Sequence, residues 1–260
     1  MILRRVIQHV RKQEWTAIWI DLVIVVVGVF IGTQVSNWNA DWETGKKAAV
    51  FSERLKDDIR LEAWGYESLI EYYKDVVLNA DRTLAAMAGE LQLSDEQFVI
   101  NAYRATQYKY NDRYRATYDE MVSTGTIGLI ADQKLRETAI IVFTSPLFDE
   151  ISTDGQNSEY RGIFRRAVSR DVQRELQKKC GDLYMDPLDY KAIVKSLDYP
   201  CKLEVSPEKI SAAAKALRSN ENFVPSLQLR FADVETALAN LQEYNPVLFH
   251  NLQEIAGRKK

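Results

Sequence analysis

The densest set of side chains able to do chemistry lies in one run, residues 103–118, reading YRATQYKYNDRYRATY. Tyr103, Tyr108, Tyr110, Tyr114 and Tyr118 alternate there with Arg104, Lys109, Arg113 and Arg115. Phenol rings beside cations can hold a sugar, an anionic headgroup or a partner's carboxylates, by cation–π contact and charge-assisted hydrogen bonds. The plainer account is that the rings fill a core with their hydroxyls at its wet edge while Arg and Lys cover the outer face. Tyr103, Arg104, Tyr108, Lys109, Tyr110, Arg113, Tyr114 and Arg115 are therefore the candidate ligand or partner face.

Catalytic chemistry finds little support. A serine nucleophile needs a histidine base, and the only histidines are His9 and His250. His250 stands between Leu248 and Leu252 with no Asp within two residues, so a core or surface role is the simpler reading. Carboxylate pairs such as Asp57-Asp58 and Asp119-Glu120 read as solvated faces. The turn Ser123 to Gly128, STGTIG, lacks the G-x-x-x-x-G-K spacing of a phosphate cradle and fits a corner between helices. Two cysteines, Cys180 and Cys201, cannot complete a four-ligand zinc site here. They flank an irregular stretch that a crosslink would hold, and a disulfide between them is expected. No catalytic residue, cofactor or metal is assigned.

The stretch that must position all of this is Trp15 to Trp42, WTAIWIDLVIVVVGVFIGTQVSNWNADW. From Ala17 to Val35 its only ionisable residue is Asp21, and the run is long enough, at about 1.5 Å per residue, to cross a hydrocarbon core of roughly 30 Å. Four of the five Trp bracket it, Trp15 and Trp19 on one side and Trp38 and Trp42 on the other, as indoles do at both bilayer interfaces. Arg4, Arg5, Arg11 and Lys12 precede it, opposed by Glu14, while Asp41 and Glu43 balance Lys46 and Lys47 after it. The positive-inside bias sets the N-terminus in the cytoplasm. The apolar run is too long for a cleaved signal peptide and no A-x-A-like site follows closely, so it reads as an uncleaved signal anchor. Ile2, Leu3, Val6, Ile7 and Val10 recur at helical spacing, so the tail is either a plain topogenic segment or lies along the inner surface. The expected division is a basic tail 1–14, a transmembrane helix 15–38 and a helical domain 39–260 outside the cytoplasm, where thiols oxidise.

Gly28 and Gly32 form G-x-x-x-G, continued by Ser36, and with Asp21 and Val25 they share one helix face. Such a small, polar face lets two backbones approach in lipid, so homo-oligomerisation through the span is expected. An intramembrane carboxylate can also mark an ion path, as in single-span stator subunits, but Asp21 lies only about 9 Å beyond Trp15 and can reach hydrated headgroups.

The remainder is of soluble character. The chain has 260 residues, 46 % hydrophobic and 27 % charged, with a mean hydropathy of -0.30. Its net charge of -3 and interleaved charges offer no basic footprint for nucleic acid. Leu55, Ile59, Glu62, Tyr66, Leu69, Tyr73, Val76, Ala80, Thr83 and Met87 follow one another at spacings of three and four, predicting a long amphipathic helix that ends at Gly89, and only Gly45 interrupts the pattern between it and the span. That stripe permits either coiled-coil contact or packing within its own domain. Ser94 with Gln97 reads as a capping box; further helices are expected from Arg115 to Ser123, after Asp132 to about Phe143, from Tyr160 to a stop at Gly181, from Ser206-Pro207 to Arg218, and two more around Leu227 to Leu241 and behind Pro246. Lys202 to Val205 offers a short strand. The fold class is all-α.

Two blocks, IVVVGVFIGTQVSNWN and TYDEMVSTGTIGLIADQKLRE, resemble a family of uncharacterised bacterial membrane proteins with an acidic residue early in one N-terminal span, a Gly-rich second half running into Trp-Asn, and a helical domain with a Glu, Ser, Gly, Leu-Ile pattern. The resemblance covers the span and about residues 114–137. It implies a single-pass protein of the bacterial inner membrane with a periplasmic domain, and supplies no catalytic residues. Two roles follow: an oligomeric interaction or scaffold subunit meeting membrane lipid and an envelope protein partner, or a ligand-sensing domain that works through a partner subunit.

Overall fold

One helix runs through the whole architecture. The structure, a computed structural model, describes residues 15–258 apart from 111 and 194. The basic tail, with its expected topogenic charges and His9, lies outside the described residues. The first helix, α1, spans Trp15–Met87, 73 residues without a break and about 110 Å long. Among the described residues ten more α-helices follow: α2 (Asp95–Ala105), α3 (Ala116–Ser123), α4 (Gln133–Thr144), α5 (Leu147–Asn157), α6 (Glu159–Ala167), α7 (Arg170–Cys180), α8 (Tyr190–Ile193), α9 (Pro207–Arg218), α10 (Phe223–Gln242) and α11 (Pro246–Ile255). No strand occurs among the described residues.

The two parts of α1 differ. Its apolar end is long enough to cross a membrane and none of it is buried in the fold, with Ile24, Val26 and Phe30 exposed. From Leu55 to Thr83 the predicted stripe is buried inside the chain's own domain, Leu55, Ile59, Tyr66, Leu69 and Tyr73 completely so. Of the two readings open for that stripe, packing within the domain is the one found, and its buried face is not available for coiled-coil contact. The anchor continues into the core helix without interruption, so this is one membrane-anchored chain with a packed helical domain.

Two apolar clusters stack along α1. The nearer one gathers Leu55 to Val76 with α3, α4, α5, α11 and the second half of α10. The farther one takes Ala80, α2, α6, α7, α9 and the start of α10. Only α1 and α10 run through both. They are antiparallel: Tyr66 donates to the Leu241 carbonyl near one end, while Val224 and Gln228 share a groove with Leu84 and Met87 at the other. Each fully buried Leu, Ile or Phe contributes about 1.5–3 kcal/mol, which makes these clusters the main driving force.

Local signals set most boundaries. Gly89 takes a left-handed backbone just past α1. Ser94 and Gln97 form both bonds of the capping box, and Asp132 accepts from the Leu135 N–H. Two expectations need correction, the helix expected from Tyr160 to Gly181 and the strand at Lys202 to Val205. The stretch Tyr160 to Leu176 is two helices, because Val168 is extended and Ser169 opens a new one. Gly181 ends α7 in an extended conformation, and it must be Gly because a Cβ would lie 2.5 Å from the Gln177 carbonyl oxygen. Lys202 to Val205 forms no strand; the Leu203 and Glu204 N–H groups donate to the carboxylates of Glu96 and Glu175 instead of to a neighbouring strand. Helix α5 had no forecast at all. The cysteines are joined as expected, with Cys180 and Cys201 bonded across a Cα separation of 5.4 Å.

Candidate functional site: the cleft beside Glu62

Helix α2 stops where side chains take over its last carbonyls: the Thr106 hydroxyl and the Gln107 amide both donate to the Tyr103 carbonyl. The chain then crosses α1 without regular structure as far as Arg115. Its own carbonyls lack helical partners, and three elements supply them. Arg230 on α10 donates to Gln107, Tyr72 on α1 to Tyr108, and Ser152 on α5 to Lys109. Arg230 is buried, and burial pushes its pKa down, with the Tyr73 ring and Asp233 opposing.

Two carboxylates one turn apart on α1 hold the far end of this segment. Asp58 accepts from the Thr117 N–H at the start of α3. Glu62 accepts from the Tyr114 N–H at 2.7 Å and from Arg113 Nε at 3.1 Å. The Arg113 guanidinium also donates to the Val142 carbonyl and lies 4.5 Å over the Phe148 ring. Both partners are out of water, with side-chain exposures of 2 % for Glu62 and 11 % for Arg113. Desolvation raises the Glu62 pKa, and the Arg113 charge opposes the rise.

This pair forms the floor of a cleft of about 360 Å³. Trp64 and Gly65 of α1 line it with Glu62, and Lys109, Tyr110, Arg113 and Tyr114 form one wall. The loop from Leu183 to Pro187 forms the other, within the segment closed by the disulfide. Tyr110 and Tyr184 stand exposed at its sides. The Lys109 ammonium lies 5.3 Å over the Tyr72 ring; burial lowers its pKa and Asp182 opposes that. Trp64 is buried and its indole N–H has no acceptor among the described residues. The cleft thus offers phenol hydroxyls and an ammonium beside a buried ion pair, a set suited to hydrogen-bonding an extended polar ligand or a partner's side chains.

Half of the expected face is gathered here, and the rest is parted. Tyr103 looks into a different pocket, where burial raises its pKa to about 12. Arg104 is buried and donates to the Tyr199 carbonyl and to Cys201 Sγ, fastening the disulfide loop. Tyr108 packs beneath Arg161 and against Gly155, where a Cβ would lie 2.5 Å from that of Tyr108. Arg115 forms a two-pronged surface pair with Asp119. An irregular segment sends neighbouring side chains to different sides, which strict alternation in sequence does not convey. Asp21, Val25, Gly28, Gly32 and Ser36 share one α1 face outside the bundle, with nothing within 4 Å of the two Gly Cβ positions. His250 is exposed near Glu254, and among the described residues no cluster of His, Cys, Asp or Glu is arranged to hold a metal. Trp64 and the loop at Tyr184 were not foreseen, since nothing local in sequence ties them to the Tyr-rich run.

Comparison of the chain with family models, with curated proteins and with solved structures gives no match.

Proposed function

We propose that this chain is an interaction subunit of the bacterial cell envelope, anchored in the inner membrane with its N-terminus in the cytoplasm and its helical domain in the periplasm. It associates with copies of itself through the Asp21, Val25, Gly28, Gly32, Ser36 face and offers the Glu62 cleft to an envelope protein partner. The observation that carries this reading is the continuity of α1, which ties the cleft to the anchor through unbroken helix. Glu62 lies about 36 Å along that helix from Trp38, so the cleft is held clear of the bilayer. The disulfide supports an oxidising compartment. No catalytic role is assigned. The resemblance of the span and of residues 114–137 to single-span bacterial proteins fits the same reading.

In lipid, close backbone packing and interhelical hydrogen bonds must drive association, since burial of apolar surface does not. Gly28→Ile and Gly32→Ile should each weaken the oligomer detected by crosslinking in membranes, while Val27→Ile on another face leaves it intact. A wild type that is monomeric in membranes, or an oligomer indifferent to both Gly changes, would sink the self-association. Crosslinking from a photoreactive residue at Tyr184 tests the cleft separately, with Tyr244 as an exposed position that does not line it: a partner captured only from Tyr184 is expected.

A further inference from the structure

A second pocket, about 580 Å³, opens at the corner between α6 and α7. Arg161 and Arg165 reach it from α6, Arg170 and Arg174 from α7. Each helix carries its two Arg at i and i+4, the spacing that sets like charges side by side and costs stability in an isolated helix. The acids nearest them are shared with other groups. Asp171 pairs with Lys209, and Glu175 accepts the Glu204 N–H. Glu159 faces another groove beside Asp154 and Asp233. Asp182 lines the pocket and accepts from Tyr72, and its carboxylate meets the Arg161 and Lys109 charges, so one acid stands against four Arg there. None of the four Arg makes an ion pair among the described residues; Arg161 donates to the Thr106 carbonyl and lies 4.7 Å over the Tyr108 ring. Its pKa is pushed down by burial and by the nearby Arg165 charge.

We propose that this pocket binds a soluble small anion carrying two or more phosphate groups. Planar guanidinium forks match phosphate oxygens in pairs, and four of them around a cavity larger than one phosphate call for more than one anionic group. The pocket is a concave corner between helices of 9 and 11 residues, not a track for a polymer. Headgroups of the anchoring membrane are out of reach. Tyr72, whose hydroxyl bonds Asp182 at the pocket's edge, lies about 50 Å along α1 from Trp38.

The test is calorimetric titration of the full-length protein in nanodiscs, at about 0.15 M salt to suppress loose surface attraction. Pyrophosphate should bind saturably and about tenfold or more tighter than orthophosphate, and Arg165→Gln with Arg174→Gln should weaken it by about tenfold per lost guanidinium. Lys215→Gln, outside the pocket, should leave the affinity unchanged. Without added anion the double variant should melt at the same temperature as wild type or higher, because repulsion has been removed. Absence of saturable binding, an affinity untouched by the double substitution, or a lowered melting temperature each overturns the proposal. Nanodiscs of zwitterionic and anionic lipid should give equal affinity; competition by the anionic lipid would transfer the ligand to a headgroup and overturn its assignment as soluble.

Discussion

Asp21 and Glu62 are carboxylates on the same helix, about 60 Å apart, and the chain treats them in opposite ways. Glu62 sits where the domain wraps α1, and an Arg and a backbone N–H meet it within the fold. Asp21 sits where α1 is bare, and no hydrogen bond or ion pair from another described residue reaches it. The contrast shows that one continuous helix is solvated by two different media. Its packed part is completed by its own domain, whereas the polar groups of its bare part must be met by lipid headgroups, water or another helix. Changes in one part should therefore leave the other's property intact.

The largest effect is expected at the buried pair. Glu62→Leu leaves the Arg113 guanidinium desolvated with only the Val142 carbonyl to accept from it, which should cost about 3–5 kcal/mol. Adding Arg113→Met removes the orphaned charge and should recover most of that loss. Urea unfolding of the domain in the full-length protein measures both, and crosslinking should show the span's association unchanged. A single substitution costing under about 1 kcal/mol would mean that water already reaches the pair, and the contrast with Asp21 would fail.

Next in size is the disulfide. Cys180→Ser with Cys201→Ser frees a loop of separation 21 and should cost about 3 kcal/mol on the loop-entropy account. Loss of the cleft wall at Leu183 to Pro187 should accompany it, read as faster proteolysis at that loop. The membrane half gives the control, since the crosslinked oligomer of the span should persist.

How far the fold was legible follows from what each signal averages over. The bare half of α1 could be read from composition, because a membrane helix needs only a long apolar run. Its packed half could be read from spacing, because a single helix face is buried over many turns. Helix α5 carries only Leu147, Phe148 and Ile151 as large apolar residues in 11 positions, and it is held in place by tertiary contacts such as Tyr73 to the Ile151 carbonyl. Local pattern cannot show such a helix. The break at Val168 was hidden because apolar residues recur on both sides of it at nearly helical spacing. The Arg corner escaped for a different reason: charge counted along the whole chain comes to -3, while four Arg from two helices meet at one point only after folding. The cleft shows the same limit, since Lys109 to Tyr114 were visible but Trp64 and Tyr184 reach them only through the third dimension.

The smallest effect, and the one with a pH signature, belongs to Asp75 on the packed half of α1. Partial burial, reinforced by Asp198 and Glu71 and opposed by Arg104, raises its pKa from 3.8 to about 6. A folded-state value above the unfolded one means that the fold takes up this proton more readily than the unfolded chain does. The destabilisation is therefore absent below the unfolded value, grows as pH rises between the two, and is complete above about 6. Asp75→Asn keeps the shape and removes the charge, so it should stabilise the domain near pH 7.5 by about 1 kcal/mol, after allowance for solvent screening at a half-exposed site. Near pH 4.5 the folded wild type carries the proton itself, and the gain should fall to about a third, vanishing only below the unfolded value of 3.8. Unfolding curves at several pH values report the difference between the two proteins. Asp21→Asn should leave the same curves superimposed on those of wild type at every pH. A gain from Asp75→Asn that stays constant down to pH 4.5 would show that its origin is packing, not the carboxylate's charge.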